Sequence, residues 1–251
     1  MIDRCITCQS RRRSLFLLAV GGLAGLPGRR IMAKVPALSS APADAAISPG
    51  WRNQPLPKVE RENDFSLVTD EGRRVVRVQS ASSASSWTSE VDVDPTLTPV
   101  LQWRWKVSRS LPGSDLKLKA GDDYAARLYV FFDLPLDRLS LGDRLKIQAA
   151  RLLSGADVPA AALCYVWGHG QPVGTTAWNP YTDRVRMIVV DSGDAQANQW
   201  RDVSRNVEQD WAAAFGGPVP RIKGVAIGAD TDNTADTVTA WFDDLRFTQV
   251  S

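Results

Sequence analysis

Cysteine is nearly absent from this chain: 251 residues hold three, and two of them, Cys5 and Cys8, precede everything that reads as a folded body. Their C-x-x-C has no second pair and no further ligands nearby, so it supports neither a zinc site nor a disulfide framework. Cys164 is then the single thiol of the remaining chain, and the apolar setting AALCYVWG marks it as a small buried hydrophobe rather than a nucleophile. Histidine is scarcer still, with His169 alone. A histidine-rich metal centre is excluded, and without a G-x-S-x-G elbow a serine triad has no seat. The apolar run LFLLAVGGLAGL, from Leu15 to Leu26, falls well short of the roughly 20 residues that a relaxed membrane span needs.

A basic surplus is missing from the body as well. Seven basic residues against one acidic precede Asp44, a surplus of six, so the formal +2 of the whole chain becomes −4 for the rest. A mildly acidic body argues against a nucleic-acid partner, whose recognition draws on a basic surface. What the N-terminus does hold is an export signal. Arg11 to Arg13 precede an apolar stretch of h-region length, and Arg12-Arg13-Ser14-Leu15-Phe16 resembles the twin-arginine type. Ala41-Pro42-Ala43 is a small-x-small cleavage site, with the segment around Ala33 as a rival. The expected organisation is a signal and leader over 1–43 and one domain over 44–251. The mature protein is expected to be periplasmic or secreted, with no stable membrane insertion after cleavage.

The body reads as strands. In GDDYAARLYVFFD, from Gly121 to Asp133, Tyr124, Ala126, Leu128, Val130 and Phe132 fall on one face and Ala125, Arg127, Tyr129 and Phe131 on the other. Both faces are mostly apolar, which places this strand centrally in a sheet. VLQWRWKV, from Val100 to Val107, alternates strictly, so Trp103 and Trp105 are expected in a core and Arg104 and Lys106 on the opposite face. Asp70-Glu71-Gly72 joins a hairpin, Ser80 to Ser86 reads as a polar loop, and Thr175 to Asp183 as a turn-rich loop. Further strands are expected at Trp87 to Val93, Ala161 to Trp167, Arg184 to Val190, Trp200 to Asn206, Lys223 to Asp230 and Thr237 to Thr248. Two short helices interrupt them: an amphipathic one over Leu139 to Leu153, and Val207 to Phe215 capped by Asn206 and stopped by Gly216-Gly217-Pro218. The fold class is all-β with one or two short helices, an antiparallel β-sandwich of the jelly-roll kind.

The closing segment WFDDLRF is similar to the last strand of carbohydrate-binding jelly rolls. In combination with LQWRWKV, GDDYAARLYVFFD, LCYVWG, RVRMIVVDSG and GVAIGADTDNT, the chain resembles the bacterial domain-of-unknown-function family 3047 over about residues 50 to 249. That resemblance implies an exported β-sandwich of unassigned activity and supplies no catalytic residues.

The residues themselves offer three site readings. A groove lined by Arg104, Asp122, Asp123 and Arg127, with Tyr129 as the neighbouring aromatic, would bind a glycan or another cell-envelope ligand without catalysis. The alternative is a polysaccharide hydrolase or lyase, in which Asp122, Asp123 and Asp230 supply paired carboxylates and His169 or Tyr129 assists. In the third reading the polar residues serve structure alone, since an arginine facing inward from a central strand needs a carboxylate partner. No cofactor is required by any of them. Asp230 and Asp232 in ADTDNT, with Asp243, nevertheless form a hard-oxygen set of the kind that Ca²⁺ prefers, and jelly rolls similar to this one carry a structural calcium near their last strands. The same Asp and Asn residues also suit a simple hairpin turn. Asp243 and Asp244, as neighbours on a strand, are expected to point to opposite faces.

Overall fold

The computed structural model describes residues 35–38, 48–56, 59–134, 142 and 160–250. In chain order the strands are β1 (Arg52–Pro55), β2 (Asp64–Asp70), β3 (Arg73–Ala81), β4 (Ala84–Val93), β5 (Val100–Val107), β6 (Tyr124–Phe132), β7 (Ala161–Gly168), β8 (Thr176–Asn179), β9 (Thr182–Ser192), β10 (Arg201–Asn206), β11 (Ile222–Asp230) and β12 (Thr237–Thr248). A helix, α1 (Val207–Ala214), follows β10, and a 3-10 turn at Lys119–Gly121 precedes β6. The strands form a seven-stranded sheet in the order β1-β4-β11-β6-β7-β9-β8 and a five-stranded sheet in the order β10-β5-β12-β3-β2. Every pairing is antiparallel except β7 with β9, which run parallel. No helix among the described residues is long and apolar enough to cross a membrane.

The two sheets pack face to face because each strand turns its apolar phase inward. Val76, Val78, Leu101, Trp103, Trp105, Phe242 and Phe247 meet Leu128, Val130, Leu163, Tyr165, Val225 and Ile227 in one core. The tryptophans of β5 are fully enclosed, as their alternation predicts. Trp103 meets Trp105 edge to face at 5.4 Å, and Trp105 lies 5.9 Å from Trp167. β6 is the fourth of seven strands, the central position expected from its two apolar faces.

A register shift alters one detail of β6. Between the pairs Tyr124–Asp230 and Arg127–Gly228, β6 advances three residues while β11 advances two. The extra residue moves Tyr124 off the inner face and onto the outer one. There it packs with Leu116, Cys164, Val166, Met187 and Val189 in a second, smaller cluster. Arg127 lies on that same outer side, directly over the Tyr124 ring at 4.5 Å.

Local signals set most element ends. Glu71 and Gly72 take positive φ values of 48° and 76°, as a tight hairpin between β2 and β3 requires. The Asn206 side chain accepts from the Gln209 N–H at 3.0 Å and starts α1.

Four expectations need correction. Ser80 to Ser86 is not an open loop: it is the end of β3, a tight corner and the start of β4. Its serines are tied inward, with Ser80 Oγ 2.8 Å from Thr231 Oγ1 and Ser83 Oγ donating to Asn63 Oδ1 at 2.8 Å. Thr175 to Asp183 contains β8, which pairs at the edge of the larger sheet with β9. The segment after Asp230 is no hairpin turn, because β11 and β12 belong to different sheets and the chain crosses between them. Finally, the core reaches upstream of residue 44, since Val35 and Leu38 are part of it. The helix expected over Leu139 to Leu153 lies outside the described residues apart from residue 142, as do the export signal and the Ala41-Pro42-Ala43 site.

Candidate functional site

The residues singled out from the sequence separate into two places on opposite sheets. At the first, the bulge in β6 brings Arg127 beneath the loop before β6 and beside the end of β11. Arg127 is only 4% exposed. Its Nε donates to Asp230 Oδ1 at 2.6 Å and its NH1 to the Tyr129 hydroxyl at 3.0 Å. Its NH2 reaches both the Asp122 backbone oxygen and, at 3.2 Å, Asp122 Oδ1, and it is also ion-paired with Asp230 Oδ2. Burial on its own disfavours the arginine's charge. The surrounding Asp230, Tyr129 and Asp122 more than offset it and hold the pKa well above the ordinary arginine value.

The carboxylates here are engaged as fully as the cation. Asp230 Oδ1 also accepts from the Tyr124 N–H at 2.9 Å, and Asp122 Oδ2 accepts from Asn179 Nδ2 at 2.9 Å. Asp123, which has no exposed surface, accepts four bonds from the β11–β12 crossover. Asn233 donates twice to Oδ1, at 3.3 and 3.0 Å, and Thr234 twice to Oδ2, at 2.7 and 2.6 Å. The structure thus brings Asp122, Asp123, Arg127, Tyr129 and Asp230 together as the sequence reading required, but closed on one another. A general acid or nucleophile needs a free oxygen within reach of substrate, and these are tied to a guanidinium and to backbone. His169 does not join them: its Nδ1 lies 2.6 Å from Ser110 Oγ. Cys164 sits under the same cluster, where burial pushes its thiol up to about 12, away from nucleophilic use.

The acidic set for a cation changes membership. Asp123, Asp230 and Asp232 have ligand atoms within 4.8 Å of one another, whereas Asp243 belongs to the five-stranded sheet and cannot contribute. A calcium ion takes six to eight oxygens. Two of these three carboxylates are already engaged by donors, Asp123 by Asn233 and Thr234 and Asp230 by the Tyr124 N–H and the guanidinium of Arg127. The trio as built does not fit a calcium ion unless Arg127 is displaced.

The second place lies on the outer face of the five-stranded sheet, and Arg104 belongs here rather than with Arg127. Gln102, Arg104, Asp202, Ser204, Asp244 and Arg246 line a cleft across β10, β5 and β12. Arg104 Nε lies 3.1 Å from Asp202 Oδ1, and its guanidinium sits 5.0 Å from the centre of the Trp200 ring. Lys106, one step along the same face, stands between two indoles, 5.3 Å from Trp200 and 4.7 Å from Trp241. Beneath them is Asp243, 1% exposed. Neither of its side-chain oxygens accepts a hydrogen bond among the described residues. It is ion-paired with Arg73, whose NH2 is 2.8 Å from Asp243 Oδ2 and donates to Asp244 Oδ2 at 2.7 Å. Burial raises the Asp243 carboxyl above its usual range.

Asp243 and Asp244 reach the same arginine although strand alternation should separate them. The register shift between Asp243 and Arg246 and the positive φ of Asp244, 55°, make a bulge that turns both to one side. Sequence reasoning missed Trp200 as the partner of Arg104, Trp241 as the partner of Lys106 and Arg246 as a lining residue of the cleft. One signal was present. Val238, Ala240 and Phe242 set the inward phase of β12, so Trp241 is a tryptophan on the outward phase, between hydrophobic positions that the core already claims.

Comparison with known proteins gives distant likenesses. The chain is similar to the family 30 carbohydrate-binding module of a cellulosomal cellulase of Clostridium thermocellum, at 14% identity, with 88% of this chain and 96% of that one covered and a TM-score of 0.36. It is also similar to the xyloglucanase domain of NopAA, a type three effector from Sinorhizobium fredii, at 9% identity, with 80% and 93% covered and a TM-score of 0.42. No curated protein matches. The family described as "Protein of unknown function (DUF3047)" matches residues 49–246, nearly all of the sandwich, and the chain belongs to that family.

Proposed function

We propose that the protein is an exported, non-catalytic β-sandwich that binds a glycan of the cell envelope, with the ligand seated on the outer face of the five-stranded sheet around Arg104. The observation that carries this reading is the Asp243 carboxylate, buried opposite Arg104 in the sheet and ion-paired to Arg73 at 2.8 Å, but with neither oxygen accepting a hydrogen bond among the described residues. Leaving a buried acceptor unmade costs a fold about 1–3 kcal/mol. Such a residue has a use where a ligand hydroxyl completes the bond. Sugar hydroxyls both donate and accept, and the cleft offers both kinds of partner: Arg104, Arg246 and Gln102 to donate, Asp202 and Asp244 to accept, with Asp243 buried next to Asp244.

A glycan array with the purified protein tests the reading. The expected outcome is saturable binding to a subset of glycans with no release of reducing ends. Release of reducing sugar would show a hydrolase, and silence across the array would remove the glycan from the account.

A further inference from the structure

The N-terminal segment contributes to the domain in a way that bears on its processing. Val35 and Leu38 are 8% and 2% exposed and belong to the main core. The short strap that carries them is fastened at three points to the residues just before β1. Trp51 Nε1 donates to the Pro36 carbonyl at 3.0 Å, and the Ser48 hydroxyl donates to the Leu38 carbonyl. Gly50, at φ +83°, lies so close to Pro36 that a Cβ at that position would come within 2.7 Å of the proline ring. Trp51 itself is 5% exposed, so the strap covers one of the large core side chains at that edge. Polar leaders are not built this way. A segment destined for removal has no reason to present two apolar side chains to the core and to accept hydrogen bonds from residues that stay.

We infer that the mature chain keeps residues 35–38, and that the export processing on which this inference rests cuts at Ala33 or upstream, not after Ala43. Cutting after Ala43 would delete Val35 and Leu38 together and leave the Trp51 N–H without its acceptor. A peptidase acting on the exported chain would also find 35–38 protected once the sandwich had closed, since cleavage requires extended, accessible backbone.

The test is expression of the full chain in a bacterium with both Sec and twin-arginine export, followed by intact-mass measurement and N-terminal sequencing of the periplasmic protein. A mature N-terminus at or before Val35 is expected. A chain starting at Asp44 would overturn the inference while leaving export intact, and an uncut chain held in the cytoplasm would remove the export reading and the inference with it. A second measurement separates structure from processing. Leu38→Ala in the same full chain is expected to lower the melting temperature of the exported protein by roughly 5–10 °C. An unchanged melting temperature would mean that Leu38 is not part of the mature domain.

Discussion

Two arginines that look alike in the sequence, Arg104 and Arg127, end in opposite conditions. Each sits mid-strand among apolar residues, and each has aspartates on the same side of its sheet. Around Arg127 each carboxylate oxygen of Asp122, Asp123 and Asp230 has a donor or the guanidinium beside it, and the three aspartates are buried; the Tyr124 hydroxyl alone of this cluster lacks a partner among the described residues. Around Arg104 the carboxylate beneath the cleft has no hydrogen bond, and the ion pair to Asp202 is made with a residue whose side chain is 82% exposed. A closed buried network stabilises and specifies a fold. An open one costs stability and remains available to a ligand. The difference supports a structural part for Arg127 and is what places Arg104, in the function proposed above, at the ligand, the reverse of the emphasis that the double aspartate beside β6 invites.

That contrast is open to attack from the stability side first. Arg127→Leu removes the cation from two buried carboxylates and is expected to cost about 3–5 kcal/mol, read as a lower urea midpoint. A loss below about 1 kcal/mol, the range of exposed pairs, would mean that the cluster is not closed. Asp123→Ala comes next. It strips four hydrogen bonds from the crossover between β11 and β12, and a loss of about 1–3 kcal/mol is expected in the same denaturation.

Asp243→Asn sharpens the comparison with the opposite sign. Burial raises the native pKa of Asp243 above its unfolded value of about 3.9, so the protonated form is favoured by folding. That contribution is complete below the unfolded pKa and is lost as pH rises through the native one. At neutral pH the asparagine variant is therefore expected to be more stable than the unaltered chain, by about 1 kcal/mol. The gain should shrink as pH falls through the carboxylate range, and thermal melts between pH 3 and 8 would show a constant offset if Asp243 were not the titrating group. The smallest effect is expected from metal removal. With Arg127 paired to Asp230 and Asp123 bonded to the crossover, EDTA should leave the melting temperature where it was, and a rise with added calcium would show those partners displaced.

Much of the architecture was legible from periodicity. The strict alternation of VLQWRWKV buried Trp103 and Trp105, the double-sided apolar pattern put β6 mid-sheet, and Asn206 began its helix as a capping residue does. The errors share a physical cause. Alternation assumes that one residue opposes one residue, and two bulges break that assumption. The extra residue in β6 turns Tyr124 outward beside Arg127, and the kink at Asp244 gathers two aspartates under one arginine. Sheet membership was equally hidden. Nothing local in ADTDNT distinguishes a hairpin turn from a crossover, so Asp230 and Asp243 were grouped although their strands lie in different sheets. Arg104 and Arg127 were joined in one groove for the same reason, because sequence pattern shows which face of a strand is polar but not which sheet holds the strand.

Glycan-array binding by Arg104→Ala is the most direct test of the central claim. Among the described residues its ion pair is made with an exposed aspartate and its guanidinium stacks on Trp200, so its loss should change stability by less than about 1 kcal/mol. The account predicts a variant that melts like the unaltered chain and loses at least about tenfold in affinity for every glycan that the unaltered chain binds, the equivalent of 1.4 kcal/mol. Unchanged affinity in a fully folded Arg104→Ala protein would contradict it.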